Sequence, residues 1–341
     1  MHDSELSEIE SVVSPGLISD AEERIEASLR PANFAEIIGR EREKQNLSVM
    51  IESALKRSRS LDHILFHGPP GLGKTSLAMV IAREMGVSMH VTTGPAITKA
   101  GDLASLLTSL EPKAVLFIDE IHRLSHTVEE ILYPAMEDKV IDIMLGKGPS
   151  AKTIRLELPE FTIIGATTKL AMLSAPLRDR FGVDFRLDFY SEPELRDIVH
   201  QKAQKMKLPV ESEAAEEIAR RARMTARVAV RILKRARDLA VVSGDSKITK
   251  QRVREVLSML DIDERGLDVT DRKILTTLYY KFAAKPVGLN TLAASISEDS
   301  NTVEEVYEPF LLRSGLIERT PKGRTVTQMA IEHIMDQNYQ I

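Results

Sequence analysis

The most constraining feature of the sequence is a glycine-rich segment, Gly68–Thr75, that fits the pattern G-x-x-x-x-G-K-[ST]. A short apolar run, Ile64–His67, precedes it, and a helical pattern, Ser76–Met85, follows it. Glycines let backbone N–H groups surround phosphate oxygens, and the following helix directs its positive end at the anion. The segment therefore predicts a phosphate-binding loop between a strand and a helix of an α/β fold.

The loop also carries side chains suited to ATP and Mg²⁺. Lys74 is predicted to reach the β- and γ-phosphate oxygens, and the Thr75 hydroxyl is predicted to be a Mg²⁺ ligand. Farther along, Asp119 and Glu120 end an apolar run. An acidic pair at a strand end is more often a solvated turn. Its position about one βαβ unit after the loop favours Asp119 as a second Mg²⁺ ligand and Glu120 as the group that orients or deprotonates the attacking water.

The pattern around this motif predicts the fold class. Five apolar runs have the length of strands: Ile64–His67, Met89–Thr92, Val115–Ile118, Phe161–Ala166 and Phe185–Phe189. Helical patterns lie between them: Ser76–Met85, Asp102–Leu110 and Thr127–Met136. Such alternation is typical of a parallel sheet covered by helices. We predict a P-loop NTPase domain at residues 29–190, after a flexible segment at 1–28.

Two further domains are predicted from changes in the pattern. After Glu192 the apolar residues follow helical periodicity in four stretches: Leu195–Lys207, Ala214–Ala222, Val228–Val242 and Arg252–Leu260. They predict a small helical domain at 191–261. Three more helical patterns precede a short β-ribbon: Asp271–Ala283, Leu289–Ile296 and Val303–Ser314. This order predicts a winged-helix domain at 265–341.

Composition excludes several classes of protein. The chain has 341 residues, no cysteine and a formal net charge of −5, so disulfides, cysteine-ligated zinc and general attraction to nucleic acid are not expected. His122 and His126 have the i, i+4 spacing of a zinc pair, but no glutamate follows the first and no third ligand is evident. We interpret them as polar residues near a helix start. With no apolar run of membrane length and no signal-peptide pattern, a cytoplasmic protein is expected.

Three other polar groups have both an ordinary and a functional interpretation. Thr167 and Thr168 follow an apolar strand, where threonine is usually a cap, but beside a phosphate site they could position the attacking water. Arg178 and Arg180 flank Asp179, which suggests either a surface ion-pair cluster or an arginine finger for a neighbouring subunit's γ-phosphate. The basic stretch Arg220–Arg237 is either a solvated face or a source of one nucleotide contact.

Together these motifs resemble the AAA+ family of ring-forming ATPases and, within it, the bacterial motors of Holliday-junction branch migration. The resemblance runs from about Leu29 to Gln328. It rests on the phosphate loop and on these further segments: Leu29–Pro31, Asp119–Leu124, Tyr133–Asp138, Gly165–Thr168, Pro176–Gly182 and Arg319–Arg324. It implies a homohexamer that encircles duplex DNA and pumps it by ATP hydrolysis in recombination and repair. The implied partners are RuvA, a tetrameric junction-binding protein, and the resolvase RuvC.

The resemblance also implies roles for individual residues. ATP contacts are implied for Leu29, Arg30, Gly71, Lys74, Thr75, Ser76, Glu137, Asp138, Lys139, Arg180, Tyr190 and Arg227. Arg180 matches the finger that acts on the neighbouring subunit, and Thr167 and Thr168 match the polar sensor. Arg319 and Arg324 match DNA contacts on the wing, where four basic residues against one acid also suit phosphate binding. Without the resemblance, a merely soluble turn would be an equal interpretation of that wing.

Three departures from the family pattern occur, at Lys169, at Met224–Arg227 and at Lys322. Lys169 stands where arginine is common, which keeps the charge but loses the bidentate fork. Met224-Thr225-Ala226-Arg227 replaces a Gly-Thr-Pro-Arg segment, so the start of the next helix is uncertain from the sequence. Lys322 replaces an arginine in the wing, a mild change for a phosphate contact.

An alternating segment, Ile141–Leu158, predicts a β-hairpin around Gly146–Ser150. The pattern alone favours a core hairpin, whereas the resemblance implies the surface that binds RuvA. Two alternatives remain for the whole chain. A clamp loader or initiator would use the same ATP site as a switch on DNA, and only junction strand displacement separates it from a motor. A P-loop kinase for a metabolite would need neither wing nor finger.

Overall fold

The computed structural model describes residues 29–145, 152–337 and 339. The predicted segment 1–28 and the tip of the predicted hairpin lie outside the described residues. Within the described residues, the large domain contains these elements: α1 (Glu41–Arg57), β1 (Ile64–His67), α2 (Lys74–Met85), β2 (Met89–Thr93), α3 (Ala100–Thr108), β3 (Val115–Asp119), α4 (His126–Glu137), β4 (Val140–Leu145), β5 (Lys152–Glu157), β6 (Thr162–Thr167), α5 (Ala175–Arg178) and β7 (Val183–Arg186).

Five strands form one parallel sheet in the order β2-β3-β6-β1-β7. The central strands β3 and β6 are buried over almost their whole length, as the continuous apolar runs predict. Because the strands are parallel, the carboxyl ends of β1, β3 and β6 meet at one edge. The predicted α/β P-loop fold class is confirmed.

The seventh strand differs from the prediction. We predicted Phe185–Phe189, whereas β7 spans Val183–Arg186. Leu187 still donates its N–H to the His67 carbonyl, but the chain then leaves the sheet, and Tyr190 N–H bonds to the Met224 carbonyl instead. The apolar residues after β7 therefore pack towards the helical domain, which explains why their alternation suggested a longer strand.

The helical and winged-helix regions follow. Their elements are α6 (Glu192–Lys205), α7 (Ser212–Arg221), α8 (Ala226–Val242), α9 (Lys250–Met259), α10 (Val269–Thr276), α11 (Leu289–Ile296), α12 (Ser300–Thr302), α13 (Glu308–Arg313), β8 (Ile317–Thr320), β9 (Gly323–Val326) and α14 (Gln328–Asp336). A π-helical turn, Val303–Tyr307, joins α12 to α13. The last region has its own apolar core, as the winged-helix prediction requires. No described helix is long and apolar enough to span a membrane.

Candidate nucleotide site

The phosphate loop is shaped by two glycines in left-handed conformations. Gly71 has φ 82° and Gly73 has φ 90°, which L side chains rarely adopt. A Cβ added at Gly71 would also lie 3.0 Å from the Cβ of Arg227, so the loop packs directly against the helical domain. Gly73 then leads into α2, whose first residue is Lys74. The loop thus carries the chain from β1 to a helix N-terminus that can face an anion.

Lys74 is buried within this loop. Its Nζ donates to the carbonyl oxygens of Gly68 at 2.8 Å and Pro69 at 2.9 Å. Burial lowers the pKa of Lys74 to about 8, and the nearby carboxylates of Asp119 and Glu120 oppose this change. A phosphate group at the loop would favour the charged ammonium, so the environment suits a lysine that neutralises an anionic ligand.

Asp119 and Glu120 lie at the carboxyl end of β3. Asp119 is the last strand residue, and its Oδ1 accepts a hydrogen bond of 3.0 Å from the Glu120 N–H. Glu120 has a left-handed backbone with φ 48°, an uncommon conformation for a non-glycine residue. Burial, followed by the charge of Asp119, raises the pKa of the Glu120 carboxyl. A carboxylate with raised pKa beside a phosphate loop suits proton abstraction from water.

Beside Glu120 lie the two predicted sensor threonines and one residue that sequence reasoning missed. Thr167 is fully buried, and its hydroxyl lies 2.8 Å from His122 Nδ1. The Nε2 of His122 is 3.4 Å from Glu120 Oε2, and the Thr168 hydroxyl donates to the same oxygen at 3.4 Å. Our interpretation of His122 as a polar residue near a helix start is therefore incomplete. Its place two positions after Glu120 was the available signal.

Most predicted ATP contacts line one cavity of about 650 Å³. The predicted residues that line it are Leu29, Arg30, Gly71, Lys74, Thr75, Ser76, Asp119, Glu120, Thr168 and Arg227. Leu29 is buried, and the Arg30 guanidinium donates to the Met79 sulfur at 3.0 Å. The Thr75 hydroxyl and the Asp119 carboxylate are hard oxygen donors of the kind that Mg²⁺ takes. The donor set therefore fits the predicted metal.

Tyr190 and Arg227 join the phosphate loop to the helical region, although only Arg227 of the two lines the cavity. Tyr190 donates its hydroxyl to the Leu72 carbonyl at 3.3 Å, and Arg227 N–H bonds to the Gly71 carbonyl at 3.3 Å. The uncertain helix start is resolved, because the Thr225 hydroxyl accepts from Val228 N–H and caps α8. The departure at 224–227 therefore leaves the helix entry intact.

Arg180 lies away from this cavity. Its guanidinium donates to the Pro176 carbonyl at 2.7 Å and to Glu137 Oε2 at 3.3 Å, and it stacks on the Tyr133 ring at 4.3 Å. Arg178 and Asp179 are exposed and form no ion pair within the described residues, so the surface ion pair of this cluster is the one between Arg180 and Glu137. Arg180 and Glu137 instead form a separate polar face.

The adjacent predicted contacts, Asp138 and Lys139, differ from each other. Asp138 is exposed at the end of α4. The Lys139 ammonium is turned inward, where it donates to the Met136 carbonyl at 2.6 Å and lies 4.9 Å from the Phe161 ring centre. Burial lowers the pKa of Lys139. Any nucleotide contact at Lys139 would therefore involve its backbone in this arrangement.

The two wing arginines have unequal environments. Arg324 is 13% exposed and forms a bidentate pair with Glu308 at 2.9 and 3.0 Å. Arg319 is 51% exposed and shares the same carboxylate at 3.0 Å. Glu308 itself is 2% exposed, and these two arginines lower its pKa against the effect of burial. Arg319 alone presents a largely accessible guanidinium.

The predicted hairpin is formed by β4 and β5, which pair antiparallel with Ile143 opposite Ile154. Ile141, near the base of the hairpin, is fully buried, whereas Ile154, on the same face but nearer the turn, is 43% exposed. The apolar residues of the hairpin are therefore divided between the core and the surface, and binding of RuvA to the exposed part stays a prediction.

Comparisons with known proteins agree over nearly the whole chain. Residues 29–187 match the family model described as the Holliday junction DNA helicase RuvB P-loop domain. Residues 190–263 match the RuvB AAA lid domain, and residues 264–335 match the RuvB C-terminal winged helix domain.

Individual relatives give the same result. The Holliday junction branch migration complex subunit RuvB of Dehalococcoides mccartyi (strain CBDB1) is 52% identical over 96% of this chain and 93% of its own length. The solved Holliday junction branch migration motor RuvB of Thermotoga maritima is 46% identical over 92% of this chain and 99% of its own, with a TM-score of 0.83. A mutant of that protein superimposes with a TM-score of 0.84 at 47% identity. The chain belongs to the RuvB family of Holliday-junction branch-migration ATPases.

Proposed function

We propose that this chain is an ATP-driven motor that moves DNA through Holliday junctions in recombination and repair. The observation that carries the proposal is the convergence of a phosphate loop, an acidic strand end and a lid on one cavity, in a chain that also has a winged helix. A site with these parts supports phosphoryl transfer to water mainly by positioning and charge stabilisation.

Each side chain has a defined task in this proposal. Lys74 and the loop N–H groups bind the β- and γ-phosphates. Glu120 accepts a proton from the attacking water at Oε2, where the Thr168 hydroxyl fixes its orientation. Mg²⁺, held by Thr75 and Asp119, supplies positive charge to the phosphates when bound. Arg227 and Tyr190 let the lid respond to the nucleotide.

Partners complete the motor. The Glu137–Arg180 face lies outside the chain's own cavity, which supports a ring in which Arg180 serves the neighbouring subunit's ATP. A homohexamer is the assembly proposed. RuvA would bind the exposed part of the β4–β5 hairpin around Ile154, and RuvC would join the same complex at the junction. DNA would be held through its phosphates by Arg319 and Arg324, without base recognition. We place the motor in the cytoplasm, where its DNA lies.

The deciding experiment is a branch-migration assay on a synthetic four-way junction. With RuvA and ATP, the chain should convert the junction into two duplexes. Lys74→Ala should fail, because its loop cannot hold the phosphates. If the wild-type protein hydrolyses ATP on the junction and the strands stay in place, the protein is a nucleotide switch of the loader type and not a motor.

A further inference from the structure

An acidic turn of the winged-helix domain reaches the catalytic edge of the sheet. Glu305, in the π-helical turn Val303–Tyr307, lies with its Oε2 3.4 Å from the Thr168 hydroxyl. The same hydroxyl is 3.4 Å from Glu120 Oε2. A hydroxyl has one proton to donate, so Glu305 and Glu120 compete for it.

Lys169 links this turn to the ATPase domain through ion pairs. Its ammonium lies 2.8 Å from Glu305 Oε1 and 3.4 Å from Glu304 Oε2, and it is 18% exposed. Asn301 adds an amide oxygen at 3.5 Å from the same nitrogen. Charge-assisted bonds in a partly buried setting are the stronger kind. The lysine directly after Thr168 therefore holds the two domains together beside the catalytic carboxylate.

The same acidic turn also reaches the wing. Glu304 approaches Lys169 with one carboxylate oxygen, while its other oxygen lies 3.5 Å from Arg319. One helical turn later, Glu308 holds both Arg319 and Arg324. A continuous set of ion pairs thus runs from the wing arginines to the residue beside Thr168.

The charges of this set of ion pairs sum to zero only while the two wing arginines are paired with its carboxylates. Three carboxylates (Glu304, Glu305 and Glu308) face three cations (Lys169, Arg319 and Arg324). DNA phosphates that engage the arginines would leave the three carboxylates beside a single lysine. Repulsion between like charges then favours movement of the acidic turn away from Thr168 and Glu120.

We propose that Glu305 is a positioning residue for ATP hydrolysis, which restrains Thr168 and Glu120 until DNA at the wing withdraws the arginines from the acidic turn. This inference rests on the proposed function, because it requires DNA at Arg319 and Arg324. It adds a specific route from the DNA-binding domain to the catalytic carboxylate of the same chain.

The test measures kcat and KM for ATP in the full-length protein, with and without duplex DNA, alongside duplex binding. Glu305→Gln keeps the shape of the side chain and removes its charge. Basal kcat should rise at least about fivefold, the lower end of coupling between linked sites. The ratio of DNA-stimulated to basal kcat should fall towards one, and KM should stay the same. Glu318→Gln is the control, since Glu318 is exposed and forms no ion pair within the described residues.

A charge exchange tests the contact itself. Lys169→Glu should lose DNA stimulation, and the double variant Lys169→Glu/Glu305→Lys should regain part of it because the pair is restored with reversed charges. If Glu305→Gln matches Glu318→Gln in both basal and stimulated kcat, the proposal is wrong. It is equally wrong if basal kcat falls while stimulation persists, or if the wild-type protein binds duplex without any stimulation. A wild-type protein that does not bind duplex would instead refute the proposed function.

Discussion

Two regions of the large domain carry the predicted nucleotide contacts, and they differ in how complete they are within one chain. The loop side brings Lys74, Asp119 and Glu120 to a single cavity, where burial lowers the pKa of Lys74 and, together with the charge of Asp119, raises the pKa of Glu120. The Glu137–Arg180 face has an arginine held by a carboxylate and a tyrosine ring, and in the described part of the chain it lies outside the cavity at the phosphate loop. The loop side contains most of the residues of an ATP site, whereas the Glu137–Arg180 face contains only a few of them. The ring proposed above accounts for this difference, because in it a neighbouring chain would supply what is missing.

The largest effect should come from Arg180→Ala. A guanidinium at the γ-phosphate stabilises charge that spreads onto the phosphate oxygens, and such fingers contribute roughly 10³–10⁵ in rate. ATP binding measured by titration should persist, while steady-state ATPase activity should almost disappear. Arg178→Ala is the control, because Arg178 is exposed and unpaired within the described residues.

Mixing two inactive proteins sharpens the comparison. Lys74→Ala lacks a working loop but keeps its finger, whereas Arg180→Ala has the reverse defect. Interfaces that join an intact loop to an intact finger should hydrolyse ATP, so activity should return in mixed rings. Co-purification of two differently tagged variants verifies mixing. Zero activity at every ratio in verified mixed rings would mean that Arg180 acts within its own chain or that every site must be intact.

The second prediction concerns the loop side. Glu120→Gln should keep ATP binding but lower kcat by on the order of 10²-fold or more, as expected for a lost general base. The amide can still accept a hydrogen bond from Thr168 but cannot take a proton from water. Glu130→Gln is the control, because Glu130 is exposed and, among the described residues, its one ion-pair partner is His126 at 3.4 Å. Near-normal turnover by Glu120→Gln would remove Glu120 from the mechanism.

Much of this contrast could be predicted from the sequence. Asp119 and Glu120 were predictable because parallel strands end at one edge of a sheet. For His122 the one signal was its place two positions after Glu120, which does not reveal the turn that places the ring against Thr167. Glu305 is 137 positions from Thr168, and no local periodicity reports a contact between domains. The inward direction of the Lys139 ammonium likewise depends on packing against Phe161, which spacing does not reveal.

The hairpin provides a third test, because its proposed role, like that of Arg180, involves a second protein chain. Ile154→Asp places a charge on an exposed apolar position and should weaken RuvA binding about 30-fold or more, the effect of losing an interface anchor of about 2 kcal/mol. Basal ATPase activity should stay unchanged. Ile141→Asp is the contrasting variant, since Ile141 is fully buried and its replacement should destabilise the domain. A parallel loss of ATPase activity in Ile154→Asp would mean that Ile154 contributes to the folded core and not to a binding surface.

The smallest expected effect tests whether ATP binding at the loop side depends on the cap of the neighbouring helix α8. Thr225 caps α8, the helix that starts at Ala226 and carries Arg227 to the cavity. Thr225→Ala should cost about 1 kcal/mol of unfolding free energy, the usual effect of losing such a cap. Thr249→Ala is a matched control, because Thr249 caps α9 in the same way through Arg252 N–H.

The two cap variants should therefore lose similar stability in denaturant titrations but differ in ATP binding. Frayed first residues of α8 would release the Arg227 N–H from the Gly71 carbonyl, a contact of 3.3 Å that joins the lid to the phosphate loop. Thr225→Ala should weaken ATP about fivefold, corresponding to roughly 1 kcal/mol, whereas Thr249→Ala should leave the Kd unchanged. Equal ATP affinities in the two variants would show that the loop holds its geometry without the lid. The difference between the loop side and the Arg180 face would then be due to the strand ends and the phosphate loop, without a contribution from the lid.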